Sequence, residues 1–398
     1  MELSKRALEI KPSSTLEISA KAAQMKTEGI DVVTFGVGEP DFDTPKHICD
    51  AAIEAIKNGE TRYTPASGTL ELKQAVCKKL KNDNDIDYKP EQIIISNGAK
   101  HSLMNVFMAI LNEGDEVMIP APYWLSYSEM VKIAGGVPVI VYTQKENNFM
   151  MTKQQMIDAY TPKTKALVLT SPSNPTGMVS TMEDLKTIAE FAVEKDIFVI
   201  SDEIYEKLIY EQNKKHISIA SLGKEIYDRT IVINGVSKSY AMTGWRIGFT
   251  AAPVAIAKLI SALQSHMTSN PNSIAQKATV VALNGSQQCV EDMRQEFKKR
   301  RDYIFEREEQ IPYIHALKPE GAFYLFVDVS DTYGKKVEGK QIQSAADFAK
   351  LLLEKEYVAV VPCADFGMTD YIRLSYATSM ELIKKGMDRI ENFVKQLQ

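Results

Sequence analysis

Cysteine is scarce: the 398 residues contain four, Cys49, Cys77, Cys289 and Cys363. They lie far apart and form no CxxC pair, which argues against a zinc knuckle or a disulfide framework. Buried, reduced thiols in a cytoplasmic protein are the expectation. No apolar stretch approaches the roughly 18 uninterrupted residues of a transmembrane helix. The opening residues, MELSKRALEIKPSS, contain neither an apolar h-region nor a small-residue cleavage site, so secretion is not expected. A basic excess is missing as well. Lys+Arg number 47 against 52 Asp+Glu, a net charge of −5, and broad nucleic-acid binding needs a net basic face. GxxxxGKS or GxxxxGKT, HExxH and GxSxG are all absent, which removes the commonest nucleotide, zinc and serine-hydrolase signatures. FGVG at 35–38 imitates a dinucleotide fingerprint, but Asp41 stands where the third glycine belongs, so that loop is not expected to bind NAD. The histidines, His47, His101, His216, His266 and His315, show no ligand spacing, and no metal role is assigned to any of them. The chain has no internal repeat, low-complexity tract or long charge run.

The remainder is ordinary for a folded chain: 44% hydrophobic and 25% charged residues. The length suggests two or three domains. Short β-branched runs alternate with helical patterns through the middle. Strands are expected at Ile93–Ser96, Asp115–Ile119, Gly136–Tyr142, Ala166–Thr170, Ile197–Ser201, Ile231–Asn234 and Arg246–Ala251. Helices are expected over Ala99–Leu111 and Met182–Lys195. This is the pattern of a parallel sheet with helices on both faces, where ligands sit at the carboxyl ends of the strands. After a long helix from Ser286 to about Gln310, the alternation becomes irregular. Strand candidates there are Ala322–Asp328, Val358–Pro362 and Tyr371–Ala377, with a closing helix. A smaller α+β unit is expected, joined by the segment before about Ile48, which is too short to bury a core alone.

Four strand ends carry unusual residues: Asn97-Gly98-Ala99-Lys100, Ser171 to Gly177, Asp202-Glu203-Ile204-Tyr205, and Gly235 to Ser239. If these strands are neighbours, Asn174, Asp202 and Lys238 converge on one crevice. Lys238 reads either as a solvated loop lysine or, given the weakly charged, aromatic stretch that follows, as a desolvated amine able to attack a carbonyl. Asp202 reads as a helix or turn cap, or as the partner of a buried cation. Asn174 could simply form a turn before its proline. Arg246 reads as an exposed strand residue or a phosphate anchor. Gly98-Ala99-Lys100 opens a helix, whose free N–H groups suit a phosphate.

SPSNPTG, SDEIYEKLIY and SKSYAMTGWRIGF, in this order and spacing, resemble the class I, fold type I aminotransferases that use pyridoxal 5'-phosphate. KPSSTLEISAKA, GEPDFDTP, YTPASG, PYWLSY, GAFYLFVD and DYIRLSYAT extend the likeness over almost the whole chain. Within the family the sequence is most similar to the bacterial aspartate aminotransferase branch, which also holds aromatic and prephenate aminotransferases. The implied fold is α/β: a large domain with a mostly parallel seven-stranded sheet sandwiched by helices, plus a smaller α+β domain from both chain ends. The expected division is 1–47, 48–288 and 289–398, the middle part binding the cofactor.

The resemblance also implies roles. Lys238 would form the Schiff base, and Asp202 would pair with the pyridine nitrogen. Asn174 and Tyr205 would bond the cofactor's phenolic oxygen, and Trp124 would stack on its ring. Gly98, Ala99, Ser237 and Arg246 would cup the phosphate, with Lys100 beside them. Tyr63 would reach the phosphate of the neighbouring subunit, which implies a homodimer. Arg373 would clamp the substrate's α-carboxylate, with a backbone contact from Gly38. The expected reaction is ping-pong transfer of the α-amino group of L-aspartate to 2-oxoglutarate. Lys100 is either a plain helix-terminal lysine or the cation for the distal carboxylate, with the Trp124 N–H as a further donor. Aromatic amino acids or prephenate are the alternative substrates, and a C–S lyase is a lesser one.

Overall fold

The computed structural model describes residues 3–8, 10, 14–211 and 213–398. Lys11, Pro12 and Ser13 of the KPSSTLEISAKA motif therefore lie outside the described residues.

Apolar, β-branched runs build a seven-stranded sheet. From one edge the order is Ile93–Ser96, Gly248–Ala251, Thr230–Gly235, Phe198–Asp202, Thr164–Thr170, Glu116–Ala121 and Val137–Tyr142. All residues of Ile93–Ser96 and of Thr230–Gly235 are buried, as befits strands covered on both faces. Each fully buried Ile or Val contributes about 1.5–3 kcal/mol of hydrophobic stabilisation. Every pairing is parallel except that of Gly248–Ala251, which runs antiparallel to both neighbours. The expected strand Arg246–Ala251 thus shortens and reverses direction. Periodicity reports burial but not direction, so the reversal left no mark in the sequence.

Helices cover the sheet. Met182–Lys195 starts in a capping box between Thr181 and Asp184 and buries Leu185, Ile188, Ala189 and Ala192 at helical spacing. Ala99–Ile110 lies on the sheet with Leu103, Val106 and Phe107 fully buried. The last element, Met380–Lys395, buries Ile383, Met387, Ile390 and Phe393.

A second, four-stranded antiparallel sheet has the order Val361–Pro362, Tyr371–Ser375, Tyr324–Asp328 and His315–Ala316. The single strand expected at Val358–Pro362 is two. Val358–Ala359 pairs in parallel with Val33–Thr34, and Val361–Pro362 pairs with Arg373 and Ile372. The chain changes sheet at Val360, a step invisible in an unbroken apolar run. The backbone of Ser375 donates to Phe35 O at 2.8 Å, and Arg389 donates to Asp31. The early segment is therefore stitched to the tail, and it carries Gly36 and Gly38 up to the carboxyl edge of the large sheet.

Candidate active site

Three adjacent parallel strands, Thr164–Thr170, Phe198–Asp202 and Thr230–Gly235, end at the same edge. Their carboxyl ends deliver Asn174, Asp202 and Lys238 to one cleft of ≈ 290 Å³. Ala99, Lys100, Trp124, Tyr205, Ser237 and Arg246 line it too, and the smaller sheet adds Tyr324 and Arg373. Gly38 closes one side from the early segment. Tyr63 stands apart, 90% exposed and outside this cleft. Gly98 is not in the wall itself but sits just behind Arg246.

Asp202 is the last residue of its strand and only 4% exposed. Its Oδ2 accepts from the Tyr127 hydroxyl at 2.6 Å and its Oδ1 from the backbone N–H of Ile204 at 3.2 Å. Burial pushes its pKa up to about 6 against the pull of these bonds, and the neighbouring Glu203 adds to the rise. Lys238 Nζ donates to the carbonyl of Gly38 at 2.5 Å. Burial brings its pKa down to about 8; Glu39 opposes this, and Arg246 and Arg373 reinforce it.

Arg373 is 2% exposed. It donates to Asn174 Oδ1 at 3.0 Å and to Gly36 O at 3.2 Å, while its Nε has no acceptor. A buried guanidinium bonded only to neutral oxygens has room for an anion. Its carbon lies 4.4 Å from the centre of the Tyr324 ring. The Tyr324 hydroxyl in turn meets that of Tyr205 at 2.8 Å.

Gly98 precedes helix Ala99–Ile110 with φ 86, a conformation that favours glycine. A β-carbon there would collide with the Arg246 guanidinium. Arg246 is itself in the left-handed region, φ 56, at a cost of about 1 kcal/mol or more. It donates to the carbonyls of Thr243 and Asn97. The ammonium of Lys100 lies 4.8 Å from the Trp124 ring, and burial followed by the charge of Arg246 lowers its pKa.

Four cations, Lys100, Lys238, Arg246 and Arg373, face this cleft against one carboxylate, Asp202. None of the four is in ion-pair contact with a carboxylate among the described residues. In a chain of net charge −5, such a concentration of positive potential suits ligands with several negative charges. Two participants escaped the sequence reading, Tyr127 and Tyr324. Both stand in quoted motifs, PYWLSY and GAFYLFVD, but a tyrosine in an apolar run reads as core, and only the fold reveals where its hydroxyl points.

The sequence profile described as "Aminotransferase class I and II" matches residues 30–390. The chain is 50% identical over 393 residues to an aspartate aminotransferase of Bacillus sp. strain YM-2, covering 99% of each. It is 44% identical to an aspartate/prephenate aminotransferase of Nitrosomonas europaea, covering 99% of this chain and 100% of the other. The crystal structure of the aspartate aminotransferase from Rhizobium meliloti superimposes with a TM-score of 0.97 at 40% identity, covering all of both chains.

Proposed function

The chain belongs to the class I and II aminotransferase family, and from that premise we propose that it moves the α-amino group of L-aspartate to 2-oxoglutarate with pyridoxal 5'-phosphate held in the cleft around Lys238. The observation that carries this reading is the convergence of Lys238, Asp202 and Arg373 from separate elements in a cleft whose cations have no ion-pair contact with a carboxylate among the described residues.

The residues present fit that cofactor. Asp202 is a buried carboxylate held by a hydroxyl and an N–H, so it can take a protonated ring nitrogen as its cationic partner. The open start of helix Ala99–Ile110, with Arg246 across Gly98, fits a phosphate. Gly98, Ala99, Ser237 and Arg246 would hold that group. A phosphate contact from Tyr63 of a second copy would complete it. The 90% exposure of Tyr63, together with exposed Ile53, Ile56 and Leu70, supports a homodimer that covers this stretch.

Bound there, the cofactor supplies an aldehyde for an amine and an electron sink for the α-carbon. The protein supplies position and proton control. Asp202 holds a proton at the ring nitrogen, which keeps the sink effective. Asn174 and Tyr205 would hold the phenolic oxygen, and Trp124 would lie against the ring. Arg373 presents a planar two-point fork to the substrate's α-carboxylate, aided by the Gly38 backbone, and so aligns the Cα–H bond. Lys238, with its pKa drawn down to about 8, would take the proton from Cα and deliver it to the cofactor's aldehyde carbon within the same half-reaction, and would run the transfer in reverse in the second.

Lys100 is the cation for the distal carboxylate of aspartate. Its ammonium is partly desolvated beside Trp124, so an incoming carboxylate is bound more strongly than in water. Aromatic amino acids or prephenate form the second reading, favoured by the apolar surface of Leu103, Trp124 and Tyr324 in the same cleft. We divide the chain into 1–47, an N-terminal arm and part of the smaller domain, 48–288, the large cofactor-binding domain, and 289–398, the remainder of the smaller domain. The pairing of Val33 with Val358 supports this grouping. Four unpaired cysteines suit the cytoplasm, and among the described residues no helix is long and apolar enough to cross a membrane.

Titrating the loaded protein with a panel of amino acids tests the donor. The bound cofactor's absorbance should change from its aldehyde to its amine form at the lowest concentration with aspartate. Conversion by phenylalanine alone would overturn the aspartate reading in favour of the second.

A further inference from the structure

Residues 201–206 divide their side chains between two different environments. Asp202 and Tyr205 face the cleft. Ser201, Glu203 and Glu206 turn the other way, into a buried layer outside it. Glu203 is 0% exposed. Its backbone N–H donates to Ile233 O at 2.8 Å. Its Oε1 accepts from the Ser201 and Ser218 hydroxyls at 3.0 and 2.6 Å. His216 Nε2 stands 3.0 Å from its Oε2, on a side chain only 7% exposed. Glu206 pairs with the buried Lys79 and accepts from Asn84 at 2.9 Å. Asp83 lies 3.7 Å from Lys79 and 2.8 Å from Lys207.

One ligand atom each of Glu203, Glu206 and His216 lie within 4.8 Å of one another. The cluster does not read as a metal centre, because the Lys79 ammonium already sits on Glu206. Charging a buried carboxylate is costly unless it is paired and bonded, and this one stands directly behind the residue that faces the ring nitrogen. We infer that Glu203, held by the Ser201 and Ser218 hydroxyls, is a positioning residue for Asp202: it pins the strand end so that the Asp202 carboxylate points into the cleft, and its charge strengthens the hold of Asp202 on a protonated ring. The inference rests on the proposed pairing of Asp202 with the cofactor. The upward push of Glu203 on the Asp202 pKa has the matching sign. The titratable groups facing Glu203 and its cluster are Asp202, His216, Glu206, Lys79 and Lys207, with the Tyr88 phenol nearby.

Glu203→Gln keeps the shape and removes the charge, whereas Ser218→Ala removes one hydrogen bond and keeps the charge. Both are made in the full-length protein loaded with pyridoxal phosphate. Three quantities are read: the cofactor dissociation constant, the pH midpoint of its visible absorbance, and kcat against KM for aspartate. E203Q should weaken cofactor binding about threefold to tenfold and move the midpoint to lower pH by about half a unit, since loss of a nearby negative charge disfavours the protonated cofactor. It should also lower kcat about tenfold with KM changed less than about twofold, the signature of lost transition-state stabilisation. S218A should lower the melting temperature and leave the midpoint in place. A folded E203Q protein with unchanged midpoint, affinity and kcat would overturn the inference. If E203Q does not fold, Glu203→Asp is the second variant: it keeps the charge but draws it back from Ser201 and Ser218, so weaker cofactor binding and a lower kcat support the account, and both unchanged contradict it. Asp202→Asn, measured alongside, separates the two levels. If it is harmless, the Asp202 reading itself fails; if it is crippling beside a neutral E203Q, only the role of Glu203 fails.

Discussion

The two sheets contribute different kinds of group to one cleft. The large sheet offers Asp202 from within its ladder and Asn174 and Lys238 from a few residues past the ends of the two flanking strands. The small sheet and the segment paired with it offer Arg373, Tyr324 and Gly38, which reach the cleft from the far side. On the proposed reading the first set manages the cofactor ring and the travelling proton, and the second holds the substrate. The comparison teaches that rate and affinity should separate by sheet of origin for these two sets, with Lys100, on a helix of the large sheet, adding to affinity.

Lys238→Ala sharpens it most. Turnover should fall by roughly 10⁴-fold or more, because the variant loses both the cofactor anchor and the proton carrier; steady-state assays of the folded variant check this. Asp202→Asn comes next, with kcat down about 10²–10³-fold and a smaller rise in KM, as expected of a charge that acts in the transition state. On the other side, Arg373→Lys keeps the charge and loses the fork, so kcat/KM for aspartate should drop about 10²-fold, mainly through KM. A fall in kcat with KM untouched would break the division between sheets.

A pH series probes Lys238, a large-sheet group that also feels Glu39 and Arg373 from the far side. In the cofactor-free protein the amine of Lys238, with a pKa of about 8, must be neutral to attack an aldehyde. Below that pH the neutral fraction rises about tenfold per pH unit, and above it the fraction levels off. Stopped-flow uptake of pyridoxal phosphate should follow this curve. A rate still climbing through pH 10 would mean that burial does not lower the lysine. The smallest effect expected is that of Lys100→Ala, which should raise KM about tenfold for aspartate and less than about twofold for phenylalanine. Equal changes for both donors would remove Lys100 from the choice of substrate.

The same division marks how far the sequence could be read. Runs such as IIIS, ALVLT, FVIS and IVIN announce buried strands, and their polar ends announce where ligands gather; that is why Asn174, Asp202 and Lys238 were legible. Strand direction was not, because a reversed Gly248–Ala251 buries the same side chains. The change of sheet at Val360 was hidden for a similar reason, since both halves are equally apolar. Tyr127 and Tyr324 were missed because burial of the ring dominates their sequence signal, while the consequential atom is one hydroxyl. Glu203 had the opposite problem. A glutamate next to an aspartate reads as solvated surface, and only the fold of the chain past the strand end places it inside.

The most direct measurement is the site of covalent attachment. The protein is incubated with pyridoxal 5'-phosphate, reduced with borohydride and mapped by peptide mass spectrometry. The account predicts a pyridoxyl group on Lys238 and on no other lysine at stoichiometric loading. An unmodified Lys238, or a label shared among surface lysines, would contradict it.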